Sequence, residues 1–159
     1  MKAATLKDLS WVMVQLALMA ALLMTPAVGN LPFLVPLHLT GLVIAAAGLM
    51  LAGVATWQLQ AGRSLTPMPS PRAGATLQIK GLYRHVRHPV YSGLLLWALG
   101  MAIAVASILH FVLLALLGVF FSAKAKHEER MLIQKFRGYA GYAKHTPPFI
   151  PRPYHLSKP

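Results

Sequence analysis

From Val90 to Ala123 the chain runs without a single Lys, Arg, Asp or Glu. As one helix this stretch would be roughly 50 Å long at about 1.5 Å per residue, well beyond a bilayer hydrocarbon core of about 30 Å. It is therefore expected to form two helices that turn near Ala106 and Ser107. Two further apolar blocks, Leu9 to Thr25 and Leu37 to Leu59, approach or exceed the roughly 20 residues needed to cross a membrane. The first begins with Trp11 and meets Pro26 without an Ala-x-Ala site, so it reads as a retained helix rather than a leader. A chain that is 57% hydrophobic and 11% charged, with mean hydropathy +0.58, is too apolar for an ordinary soluble domain. The expected fold is an all-α integral membrane protein with four transmembrane helices, the third and fourth as a helical hairpin. A C-terminal cytosolic helix over Ser122 to Arg137 and a Pro-rich cover over Thr146 to Pro159 complete it.

The placement of charge agrees with four spans. All 15 basic residues fall into three groups: Lys2 and Lys7; Arg63, Arg72, Lys80, Arg84 and Arg87; and Lys124, Lys126, Arg130, Lys135, Arg137, Lys144, Arg152 and Lys158. The Pro26 to Pro36 loop and the turn near Ser107 carry none. With both termini inside, every cation lies in the cytosol, as the positive-inside rule asks. That distribution accounts for the net charge of +12 without nucleic acid as a partner, and membrane lipids are the expected anionic neighbours. The absence of cysteine excludes disulfides and thiolate metal sites. The segment Ala61 to Lys80, with Pro67, Pro69 and Pro71, is expected as a stiff cytosolic loop.

Two stripes of small residues are expected to be scaffold. Gly41, Ala45, Gly48 and Ala52 fall on one helical face, and Gly93, Trp97, Gly100 and Ala104 repeat their spacing. In lipid such stripes let helices approach closely.

Chemistry-bearing groups concentrate at two interfacial points. Tyr83, Arg84, His85, Arg87, His88 and Tyr91 gather at the start of the third span, with Pro89 in its first turn. Such a cluster fits either a snorkelling membrane anchor or an anion-binding helix N-terminus supplemented by Arg and His donors. The chain has three acidic residues in all, and two of them, Glu128 and Glu129, stand side by side just after the last apolar segment. A cationic pocket facing a carboxylate suits a zwitterionic ligand with a fixed positive charge. His38 and His110, near the outer ends of spans two and four, allow a rival reading as a haem- or quinone-binding membrane protein. His85 and His88 lack an evident third ligand and sit beside two arginines, so no metal site is expected.

The run Gly-x-Tyr-x-x-x-Arg-His-Pro-x-Tyr-x-Gly at Gly81 to Gly93 resembles the isoprenylcysteine carboxyl methyltransferase family. So do Glu-Glu-x-x-Leu at Glu128 to Leu132, then Phe136, Tyr139, Tyr142 and Phe149-Ile150-Pro151. That family is related to the integral-membrane phospholipid methyltransferases. The resemblance covers Lys80 to Pro151, about half the chain. It implies S-adenosylmethionine as cofactor, bound at the cytosolic face, and a lipophilic acceptor entering from the bilayer. It divides the chain into two N-terminal transmembrane helices (1–60) and a methyltransferase-like catalytic region (61–159). Carried over, it places Arg87, His88, Pro89 and Tyr91 against the cofactor, with Gly81 and Tyr83 shaping its loop. Glu128 and Glu129 would hold the cofactor or the reacting groups, with Arg87 beside them. Phe136-Arg137-Gly138-Tyr139 is one residue shorter than in many members, so no role is carried over to Lys135, Arg137 or Tyr139. A carboxylate acceptor would need a cation for positioning, as in isoprenylcysteine O-methylation. An amine acceptor, as in phospholipid N-methylation, would need a base. Both tools are present.

Overall fold

The computed structural model describes residues 6–26, 35–61, 74 and 76–152. Five helices carry them: α1 (Leu6–Met24), α2 (Val35–Ala61), α3 (Pro89–Val105), α4 (Ile108–Lys135) and α5 (Tyr139–His145). A 3₁₀ turn at Gly81–Arg84 leads into α3, and no strand is present among the described residues. Helices α2 and α4 are long and apolar enough to cross a membrane, and α1 and α3 are shorter apolar helices. Most of the Pro26 to Pro36 loop, the proline-rich part of Ala61 to Lys80, the end of the Pro-rich cover from Pro153, and Lys2, Arg63, Arg72 and Lys158 lie outside the described residues.

The expected break at Ala106 and Ser107 is present. Helix α3 ends at Val105, and Ala106 adopts a left-handed conformation (φ 51°, ψ 37°) whose N–H returns to the Ala102 and Ile103 carbonyls. Ser107 is extended and starts α4. The separate cytosolic helix expected over Ser122 to Arg137 is not a separate element. It is the continuation of α4, which runs unbroken to Lys135. After Gly118 the sequence offers no Gly or Pro until Gly138, and Ala123 and Ala125 propagate an existing helix at little cost.

The two small-residue stripes meet each other. A methyl added to Gly48 would lie 2.3 Å from the Trp97 backbone nitrogen, and one on Gly100 would lie 2.3 Å from that of Ala45. At Gly41 and Gly93 the same methyl would lie 2.3 and 2.5 Å from the Ala104 and Ala52 backbone nitrogens. Helices α2 and α3 therefore run antiparallel with backbone on backbone, the most extensive helix pairing among the described residues. His38 adds a clasp at one end of the seam, its Nδ1 donating to the Ala104 carbonyl at 3.0 Å. Trp97 and Ala98 of α3, Leu117 and Phe121 of α4, Ala45 of α2 and Leu22 of α1 form one buried core. That core fixes the lower half of α4 against α3 and so sets where Glu128 and Glu129 emerge.

Candidate active site

The turn that carries the site is anchored on α2. Gly81 takes φ +63°, and a Cβ there would lie 2.7 Å from the Gln58 side chain, so glycine serves both the backbone angle and the space. The Leu82 N–H donates to Gln58 Oε1 at 3.0 Å. Tyr83 is buried, its hydroxyl 3.4 Å from the Ala55 carbonyl, and its own carbonyl accepts a hydrogen bond from the Tyr142 hydroxyl. Gly81 and Tyr83 thus shape the turn. Among their described contacts, neither touches the acidic pair.

Beyond the turn, the chain pairs with the segment that follows α5. The Arg87 and His88 N–H groups donate to the Pro147 and Pro148 carbonyls at 2.8 and 2.9 Å. The Ser92 hydroxyl donates to the Phe149 carbonyl at 2.7 Å. Pro147 and Pro148 have no N–H to offer, but their carbonyls still accept, which is why prolines tolerate this one-sided pairing. The described part of the expected Pro-rich cover, Thr146 to Arg152, is therefore a strap laid on the entrance to α3. Pro89 is the first residue of α3, and it is buried.

The acidic pair from α4 closes the site. Arg87 Nε and Nη2 donate to the two carboxylate oxygens of Glu129 at 2.8 and 3.2 Å. Its Nη1 donates to the Ala143 and Thr146 carbonyls at 2.7 and 2.6 Å. Four of the five guanidinium N–H groups are thereby engaged. His88 Nε2 donates to Glu129 Oε1 at 2.9 Å, and Nδ1 stands 3.7 Å from Glu128 Oε2. The Tyr91 hydroxyl donates to Glu128. Charge-assisted bonds of this kind are the strong ones in a partly dry site. The rings of His88 and Tyr91 stack at 5.4 Å, Tyr91 stacks on Phe121 at 4.6 Å, and Phe149 leans over His88 at 5.9 Å. The result is a charged cluster with an aromatic wall. It draws one half from the start of α3, the other from the end of α4, and its cover from the strap.

Arg87, His88, Tyr91, Glu128 and Glu129, selected from the sequence, converge on one spot, forty residues of chain notwithstanding. Two partners had not been foreseen. Lys124 is buried beside the cluster, its Nζ donating to Gln15 Oε1 of α1 at 2.6 Å and standing 5.4 Å from the Tyr91 ring centroid. Its position one helical turn before Glu128 was the available signal. Tyr139, in α5, is buried with a hydroxyl that finds no hydrogen-bond partner. Burial raises its pKa above that of a free phenol, and the nearby Glu129 raises it further, so the group is a neutral donor.

Elsewhere, His110 is fully buried with neither ring nitrogen hydrogen-bonded. No group of three or more His, Cys, Asp or Glu residues is arranged to hold a metal ion among the described residues.

Residues 36–138 match the phospholipid methyltransferase family model. The chain is similar to protein-S-isoprenylcysteine O-methyltransferase B of Arabidopsis thaliana, 33% identical over 97 residues, covering 58% of this chain and 49% of that protein. It is similar to the protein-S-isoprenylcysteine O-methyltransferase of Schizosaccharomyces pombe, 34% identical over 97 residues, covering 58% of this chain and 41% of that protein. A cobalt-zinc-cadmium resistance protein of Cupriavidus metallidurans is 37% identical over 84 residues, covering 52% of this chain and 39% of that protein. The matches thus span half or less of each of these relatives.

Proposed function

The chain belongs to the phospholipid methyltransferase family, and from that premise we propose that it is an S-adenosylmethionine-dependent methyltransferase acting on a lipophilic acceptor at the cytosolic membrane face. The observation that carries this reading is the joining of Arg87, His88 and Tyr91 to Glu128 and Glu129 under the Thr146 to Phe149 strap. The family's description suits a phospholipid acceptor, whereas the names of the Arabidopsis and fission-yeast relatives, both O-methyltransferases, favour a carboxylate over an amine.

The residues present fit the cofactor's chemistry. Its amino acid end offers an ammonium and a carboxylate, and the cluster offers carboxylates for the first. The remaining Arg87 N–H and the orphaned Tyr139 hydroxyl are donors for the second. His88, Tyr91 and Phe149 supply flat apolar faces for the adenine. Bound there, S-adenosylmethionine supplies an activated methyl group: the acceptor–methyl bond forms as the sulfur–methyl bond breaks, and the electron pair returns to sulfur as a neutral thioether. The protein's own share is orientation and exclusion of water. Arg87 and His88 fix the Glu129 carboxylate, Tyr91 fixes Glu128, and the strap closes the top.

In the bilayer, the apolar helices α1 to α4 make four crossings, with α3 and α4 as a hairpin turning at Ala106. Both termini and the site then lie on the cytosolic side with the cations. Residues 1–60 act as a membrane scaffold and 61–159 as the catalytic region.

Calorimetric binding of S-adenosylmethionine to detergent-purified protein tests the proposal. Wild-type protein is expected to bind, and His88→Ala, which removes a bond to Glu129, to weaken binding about tenfold or more. Equal affinity in the two proteins, or no binding by folded wild type, overturns it.

A further inference from the structure

Lys124 is a buried cation beside the cluster, near enough to Glu128 to sense its charge but in no ion pair with it. Its side chain is 2% exposed, and a residue chosen only for packing at that position would carry no charge, because burying an ammonium is costly unless it is used. An ammonium has three N–H donors. Gln15 accepts one, and Lys124 forms no ion pair with a carboxylate among the described residues. Arg87, by contrast, has four of its five N–H groups engaged by Glu129, Ala143 and Thr146. Tyr91 links Lys124 to the cluster: its ring lies beneath Nζ and its hydroxyl is on Glu128. Beyond Gln15, the Lys124 ammonium has no hydrogen-bond acceptor among the described residues, and it is held one tyrosine ring away from the acidic pair.

We propose that Lys124, steadied by Gln15, binds the carboxylate head of the acceptor and selects carboxylate acceptors over amines. This rests on the methyltransferase reading above. With one carboxylate oxygen on Nζ, the other oxygen is the nucleophile. Its bond to the methyl carbon forms as the sulfur–methyl bond breaks, the electron pair goes to sulfur, and no proton moves. No base is required, which suits a cluster in which Glu129 is already committed to Arg87 and His88. An amine acceptor would bring a positive charge toward Lys124 and would also need a proton acceptor. Lys124 touches the substrate's head and not the transferring methyl, so it is a binding residue that sets specificity.

The test uses the full chain in detergent with two probes, N-acetyl-S-farnesylcysteine and its primary carboxamide. Binding of each is measured by calorimetry, and S-adenosylmethionine binding is measured separately on the same samples. Wild type is expected to prefer the carboxylate by about tenfold or more, the worth of a charge-assisted hydrogen bond. Lys124→Gln is expected to erase that preference while leaving cofactor affinity within about twofold. Lys124→Met, which fills the same volume, serves the same purpose if the Gln variant does not fold. Lys124→Arg is expected to restore the preference, and Gln15→Ala to keep it. A lysine that merely docks α1 onto α4 would make Gln15→Ala and Lys124→Gln behave alike, and that result overturns the proposal. So does a wild type that binds both probes equally, or that methylates dioleoylphosphatidylethanolamine vesicles as readily as it methylates the carboxylate probe. Carboxylate preference without cofactor binding would refute the methyltransferase reading, and with it the acceptor role, and would leave Lys124 as a carboxylate-binding residue only.

Discussion

Two regions of this molecule are packed on opposite principles. Along the α2–α3 seam, backbone meets backbone at Gly41, Gly48, Gly93 and Gly100. At the junction of the α3 entrance and the α4 exit, almost every contact is made by a long polar or aromatic side chain. The seam has one tight arrangement and no room for adjustment. The junction is held by directional bonds among groups that each have alternatives, water or a ligand included. With rigidity kept in the seam, the polar end can carry charges that stabilise a ligand instead of the fold.

The sharpest way to break the comparison is to add one methyl group to the seam. Gly48→Ala places a Cβ 2.3 Å from the Trp97 nitrogen and 2.6 Å from the Gly93 carbonyl oxygen. Backbone atoms cannot step aside as a flexible side chain can. The gain of about 1 kcal/mol in helix propensity is outweighed by overpacking of about 1–3 kcal/mol or more, since both helices must separate along their length. Gly53→Ala in the same helix meets nothing within 4 Å and is expected to be neutral or slightly stabilising. Melting temperatures of the two variants in the same detergent decide the matter. Equal values would mean that the seam is not the rigid element.

At the junction, Glu129→Gln keeps the shape and removes the charge. Arg87 and His88 lose their ionic partner, while Nη1 of Arg87 remains tied to Ala143 and Thr146. Stability is expected to fall by about 1.5–3 kcal/mol, the range for hydrogen bonds to charged groups. S-adenosylmethionine binding is expected to fall by more than the melting shift alone explains. A variant with wild-type cofactor affinity would move the ligand site away from Glu129.

The two regions also differ in how far they can be read from sequence. The seam was visible as spacing: glycine and alanine recurring every three or four residues announce a helix face made for close approach. The break at Ala106 followed from length alone. The acidic pair and the Arg87-His88 run were conspicuous because charge is so scarce in this chain. What stayed hidden was pairing across distance. Lys124 looked like one more inside-positive residue, and its contact with Gln15 spans 109 positions. Helix α5 is seven residues long with no apolar period to mark it. Continuation of α4 past the expected membrane boundary reflects the absence of any helix breaker, a local fact that outweighed the change in polarity.

The tyrosines that tie α5 to the turn sharpen the comparison further. Burial raises the Tyr142 pKa to about 12, with Arg87 opposing and Glu129 adding to the shift. Tyr83 is raised too, by burial first and then by Tyr142 and Glu128. A phenol whose folded pKa exceeds its unfolded value near 10 binds its proton more tightly when folded. It therefore contributes stability in full below about pH 10, and that contribution is lost as pH rises from about 10 through 12. Tyr142→Phe removes the bond to the Tyr83 carbonyl and is expected to cost about 1 kcal/mol at neutral pH. It should also flatten the alkaline loss of stability. A pH–melting profile parallel to wild type would show that Tyr142 does not report on the contact between α5 and the turn.

The smallest effect is expected where the scaffold itself is strained. Ala106 holds φ at 51° between α3 and α4, a region that costs an L-residue roughly 1 kcal/mol. Glycine takes that conformation freely but has more freedom to lose on folding, which returns about half to all of the gain. Ala106→Gly is thus expected to shift stability by less than about 1 kcal/mol, toward greater stability if either way. Ala106→Val at the same residue adds a β-branched side chain where φ is positive and is expected to be clearly destabilising. The turn lies at the far end of α3 and α4 from the charged cluster, so neither change is expected to alter S-adenosylmethionine affinity. If Ala106→Val leaves the protein folded but weakens cofactor binding, the rigid seam and the polar junction are coupled through α3. The separation between the two packing principles would then be one of chemistry and not of mechanics.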